Sequence, residues 1–197
     1  MANKDQPNGA IAVDNLGGPI NAKLNPYTVS AAGNPTVNIF PGDFITMDAT
    51  TGTVLPAAAG DPILGVCAGI EVAAPTQSDG FLSNNNIGVT EHPGYLPAAT
   101  AGTILVNDSP DQLYLIQTSG TLSLTDGQGN VEIVAGVGST TTGRSAHEIN
   151  STVTAATAQI RLVRPDGASD NDLASANSKW IVRVNEHLNS NTVGLAP

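Results

Sequence analysis

Glycine and proline punctuate this chain at short intervals, and that spacing most constrains what it can fold into. The 197 residues include 21 glycines and 13 prolines, spread rather than clustered, with Val, Ile and Leu returning every few residues between them. Disordered chains of this type hold roughly 25–30% Pro and Gly and few aliphatics, so the pattern is not one of disorder. Short aliphatic runs divided by turn residues predict an all-β fold of many short strands. No helix beyond a turn or two is expected, a capped turn at 148–151 being the one candidate.

Three stretches follow from this punctuation. Residues 1–35 are broken at Asn8-Gly9, Gly17-Gly18-Pro19, Asn25-Pro26 and Asn34-Pro35, and the residue before each proline is biased towards extended backbone. They read as an extended N-terminal arm that must lie on a partner or on the body to be ordered, or else remain a loose end. Residues 36–118 read as a small closed β-barrel, with strands at 37–40, 44–48, 53–56, 63–72, 86–90, 102–106 and 112–117. Glycine inside the 63–72 run marks a bulge or a corner. Residues 119–197 form a second β-rich half packed on the barrel. Asp126-Gly127 between aliphatic runs signals a hairpin joining 121–124 to 130–135. Two late strands alternate cleanly, with Ile160 and Leu162 on one face of 157–164, and Trp180, Val182 and Val184 on one face of 179–187.

Charge excludes several functions. Charged residues make up 12% of the chain, against about 25% in ordinary domains, and seven basic against seventeen acidic residues leave a net charge of −10. The basic stripe that phosphate neutralisation requires is missing, so neither nucleic acid nor an acidic membrane surface is an expected partner. No apolar run reaches the roughly 18–20 residues of a membrane span, and residues 1–8 have no apolar signal core. The lone Cys67 lies in the apolar run 62–70 and reads as a small buried hydrophobe made in a reducing cytoplasm.

Reactive constellations are not visible. His92, His147 and His187 stand far apart without a second ligand at metal spacing, and each reads as a hydrogen bonder in a loop or at a strand end. Glu91-His92 and Glu186-His187 resemble acid/base pairs, yet neighbours on a strand point to opposite faces. Asp43, Asp61, Asp108, Asp111 and Asp126 adjoin turns, where a carboxylate bonds backbone N–H groups two residues on. Asp126-Gly127-Gln128-Gly129-Asn130 lacks the terminal Glu of a calcium loop. Gly136-Val137-Gly138 lacks the Lys and helix of a phosphate cradle, and no Gly-x-Ser-x-Gly elbow occurs. No catalytic residue, cofactor or metal is therefore expected. What remains is a neutral Thr, Ser, Asn and Ala surface, whose burial freezes few long side chains and suits extensive permanent protein contact.

Several segments, in this order, resemble the capsid cement (decoration) proteins of tailed phages, including structural proteins of cyanobacterial and marine phages. They are Pro41-Gly42-Asp43-Phe44, Gly60-Asp61-Pro62 with Ile63-Leu64-Gly65-Val66, Gly94-Tyr95-Leu96-Pro97-Ala98, Ser109-Pro110-Asp111-Gln112-Leu113-Tyr114 and the run from Trp180 to His187. The resemblance implies a β-barrel or β-tulip-like body on the capsid exterior of an icosahedral head, binding the major capsid protein and itself. A homotrimer is the implied state, with dimer and hexamer open. It implies no enzyme and brings no catalytic residues. The arm suits a reach onto neighbouring subunits, with Ile11, Val13, Leu16, Ile20, Leu24 and Tyr27 as its expected partner contacts. The alternatives are a head-fibre or tail/baseplate β-module for host attachment, and a small β-barrel hydrolase.

Overall fold

A computed structural model describes residues 2–18, 23–32, 37–71, 94–154 and 156–190. Its strands are β1 (Ile11–Asn15), β2 (Asn25–Val29), β3 (Phe44–Met47), β4 (Val54–Pro56), β5 (Gly65–Glu71), β6 (Gly102–Asn107), β7 (Gln112–Gln117), β8 (Asn130–Val131), β9 (Ile133–Val134), β10 (Glu148–Ile149), β11 (Ile160–Pro165) and β12 (Lys179–Val184). They form two five-stranded sheets, ordered β1-β7-β12-β11-β8 and β2-β6-β5-β3-β4, and a small β10-β9 pair. Every pairing between these named strands is antiparallel. The chain is all-β, as its punctuation predicts.

Two cores explain why the strands stack this way. The first takes side chains from both large sheets: Phe44 and Val66 from one, Tyr114, Ile116, Leu162, Trp180 and Val182 from the other. The second contains Ile45, Cys67, Ile104 and Val106, with Ile39 and Leu96. Side chains alternate across a strand, so the neighbours Phe44 and Ile45, and Val66 and Cys67, fall into different cores. β3 and β5 are thus buried on both faces, which is why 63–67 reads as a continuous apolar run rather than an alternating one. In the first sheet β11 alternates, with Ile160 and Leu162 buried and Arg161 and Val163 only half-buried. On β12, Trp180, Val182 and Val184 are buried and Lys179 is exposed, but Ile181 on the opposite face is buried too.

The closed barrel expected for 36–118 does not form. Among the described residues the first sheet ends at β1 and β8 and the second at β2 and β4, so both remain open. The reason is that β7, from that stretch, pairs with β12 and β1 rather than with its predecessor β6. The arm's described strands lie on the body: β1 pairs with β7, β2 pairs with β6, and Val29 enters the second core. The 121–124/130–135 hairpin also fails. Residues 124–126 form a 3-10 turn that leaves Leu124 69% exposed, while β8 pairs with β11 and β9 with β10. Residues 148–149 are strand β10 rather than a capped turn. The expected strand at 86–90 lies outside the described residues.

Glycine in the 63–72 run has two distinct roles. Pairing slips between Cys67 and Gly69, which leaves Ala68 as the extra residue of a bulge. Gly65 lies so close to the Asn107 carbonyl that an added Cβ would overlap that oxygen and crowd Val106. Gly65→Ala is therefore expected to lower unfolding stability by about 2 kcal/mol, in the range of core overpacking. Gly18→Ala, at a site with open space around it, should stay within about 0.5 kcal/mol. Chemical denaturation of both variants checks the difference.

Candidate functional site

Distant segments meet at a buried polar clasp. The turn before β3 carries Asp43, and the loop before β10 carries Ser145 and His147; all three are buried. The Phe44 N–H donates to His147 Nδ1 at 3.2 Å, so the proton of the neutral ring sits on Nε2, 3.6 Å from Asp43 Oδ1. Ser145 Oγ accepts the His147 N–H at 3.0 Å, and Asp43 Oδ2 accepts the Phe40 N–H at 2.8 Å. Burial pushes the Asp43 carboxyl up and the His147 imidazole down, and each partner only partly offsets this. Gly9 closes the arrangement: a Cβ there would stand 2.6 Å from Ser145 Cβ, and its φ of +68° already favours glycine.

Ser, His and Asp are the residue types of a hydrolytic triad, but their wiring does not activate a nucleophile. A triad needs the serine hydroxyl on one imidazole nitrogen and the carboxylate on the other. Here a backbone N–H occupies Nδ1, the carboxylate faces Nε2, and the serine side chain favours the charged form of Asp43. The trio fastens 8–10, 40–44 and 143–147 together.

The other singled-out groups have structural partners as well. His187 Nδ1 accepts the Asn189 N–H at 3.0 Å, while burial, aided by Arg183 and opposed by Asp108 and Asp111, lowers its pKa to about 4. Cys67 is buried, and desolvation pushes its thiol up to about 12, far from nucleophilic range. Asp43, Asp61 and Asp126 do serve turns, but they reach back to the N–H three residues earlier, at Phe40, Ala58 and Ser123, rather than forward. Asp108 instead accepts from the Asn25 amide and from the Tyr27 hydroxyl at 2.6 Å, tying β2 to the body. Among the described residues, no group of three or more His, Cys, Asp or Glu could hold a metal ion. His92 and Glu91 lie outside those residues.

Beside the clasp opens an apolar groove of about 480 Å³. Ile11, Ala12, Leu24, Pro41, Ala68 and Tyr114 line it, and Asn8, Gly42 and Arg144 reach it from the clasp. Of the six expected contact residues, Ile11 and Leu24 meet here, 44% and 38% exposed. Val13 is half-buried on β1, and Leu16 is exposed beyond it, its N–H held by the Asp111 carbonyl. Tyr27 packs on the second core. Ile20 lies outside the described residues. Sequence reading missed Ala68 and Pro41, because a bulge alanine and a turn proline carry no signal of facing a groove. Compared with known proteins, the chain matches no family model, no curated protein and no solved structure.

His187 offers a titration that can be read directly. Its folded pKa lies below the ordinary value of 6.5, so the unfolded chain binds the proton first as pH falls. The stability this group confers is complete above pH 6.5 and is lost as pH drops towards 4. His187→Asn keeps an acceptor for the Asn189 N–H but cannot titrate. The stability of the native chain relative to H187N should fall by about 2 kcal/mol between pH 7 and pH 4, after allowing for solvent screening. Urea unfolding of both across that range would expose a flat difference if the assignment were wrong.

Proposed function

We propose that this chain is a non-enzymatic structural protein of a virus particle, a capsid cement protein that binds the outside of an icosahedral head. It would be made in the host cytoplasm and assembled onto neighbouring major capsid proteins. It acts without a cofactor, nucleic acid or membrane, and the homotrimer is the preferred state. The observation that carries this reading is the apolar groove edged by Ile11 and Leu24. Both are large aliphatic side chains left open to solvent, Ile11 on β1 and Leu24 just before β2, next to small residues that allow close approach. A neighbouring protein segment laid there gains apolar burial of about 25 cal/mol per Å².

Three further features support the reading. The serine, histidine and aspartate that come together are wired as a fastener and not as a nucleophile. Backbone bonds from Ala10 N–H to the Gly42 carbonyl at 2.9 Å and from Gly42 N–H to the Cys67 carbonyl at 2.7 Å tie the groove's lining to the body, so docking orders little additional backbone. The order of turn segments resembles cement proteins across both halves of the sequence.

Deleting the whole arm would not test this cleanly, because β1, β2 and Val29 belong to the fold. Ile11→Ser combined with Leu24→Ser removes the exposed apolar edge and keeps the strands. The double variant should fold normally and bind expanded phage heads at least tenfold more weakly, a loss of about 1.4 kcal/mol or more. Co-sedimentation with purified heads measures this. Binding of the native chain to host cells instead of heads would overturn the proposal in favour of an attachment module.

A further inference from the structure

A second cavity, of about 260 Å³, lies next to the groove and shares Asn8, Ile11 and Arg144 with it. Its character is different. Lys4, Arg144 and Lys179, three of the seven basic residues in the chain, all line it, against the single carboxylate of Asp170. The lining residues therefore carry a net charge of about two positive, in a protein whose total is −10. Behind them, the lining Gln117 amide bonds the carboxylates of Asp5 and Glu148 at 3.0 and 2.8 Å.

The backbones that carry these cations are held firmly. Lys179 donates its N–H to Asn171 Oδ1 at 2.8 Å and accepts from Asn171 Nδ2 at 2.9 Å. Asn3, beside Lys4, makes three bonds to the 172–176 loop, at 2.7 to 3.0 Å. The Arg144 carbonyl accepts the Ser139 N–H at 2.8 Å. The charged ends contrast with this. Arg161 bonds Asn130, Arg164 lies 3.9 Å from Asp14 and Arg183 lies 4.0 Å from Asp111. Among the described residues, the ammonium and guanidinium groups of Lys4, Arg144 and Lys179 have no such partner. An acidic chain could match them internally; it instead gathers like charges, which repel, around a walled space.

We propose that this cavity is a binding site for a small, multiply charged oxyanion, a carboxylate or a phosphate. Two net positive charges favour a divalent or trivalent ligand over a simple monovalent ion. Amide side chains of Asn8 and Asn177 add hydrogen bonds. No aromatic ring lines the cavity to stack on a base, so the charged oxygen groups are what is recognised. This site does not depend on the capsid reading, since Lys4 and Lys179 do not line the apolar groove.

Thermal unfolding in citrate and in pyrophosphate, each compared with sodium chloride at equal ionic strength, tests the assignment. At a hundredfold excess over Kd, the native chain should gain roughly 5–10 °C in Tm with at least one of the two anions. Response to citrate alone assigns a carboxylate ligand, and response to pyrophosphate alone a phosphate. Lys4→Gln combined with Lys179→Gln should reduce the shift at least threefold. Arg161→Gln combined with Arg164→Gln removes the same charge from elsewhere on the sheet and should preserve it. Equal shifts in the two double variants would show general screening and overturn the site, as would the absence of any shift with either anion in the native chain.

Discussion

Burial of the second sheet on both faces is the constraint that organises this molecule. β3 and β5 carry apolar side chains on each side, so Phe44 and Val66 need one cover and Ile45 and Cys67 another. The first sheet supplies the former through Tyr114, Ile116 and Trp180, and Ile39 with Leu96 supplies part of the latter. A closed barrel offers its strands one interior only. Recruiting β7 to the first sheet gives this chain two, with bulge and glycine positions on β5 at its close approach to β6.

The polar clasp solves a different problem, that of joining three loops where no strand ladder can. Buried polar groups are tolerable only when paired, and here backbone N–H groups of Phe40, Phe44 and His147 find side-chain acceptors within one compact cluster. The same compactness demands glycine at position 9. Chemistry and architecture part company at this point: three residue types capable of catalysis are present and close, yet the imidazole accepts from the Phe44 backbone N–H and not from the serine hydroxyl.

Around that hydrogen-bonded centre the surface divides by chemistry. The groove is apolar and borders the first strands of the chain, while the neighbouring cavity gathers cations. Arg144 belongs to both, so an apolar contact and an anionic contact could be made side by side. Such pairing of apolar area with a charged rim is how protein interfaces combine affinity with orientation.

Strand class, the inward faces of β11 and β12, the buried state of Cys67 and the bulge in the 63–72 run were all legible from alternation and turn residues, because these are local properties of the backbone and its side chains. Sheet partnership was not. Whether β7 pairs with β6 or with β12 depends on which faces must be covered, a property of the whole chain that no window of residues contains. The same holds for the sites: Asp43, Ser145 and His147, or Lys4, Arg144 and Lys179, are separated by roughly a hundred residues or more of sequence in part, and only the stacking of two open sheets brings them within reach of one another. The amino-acid order alone determined that the chain would be β-structured, acidic and rich in turns; the tertiary structure decided which side chains meet, since long-range burial, and not local preference, selects the pairing.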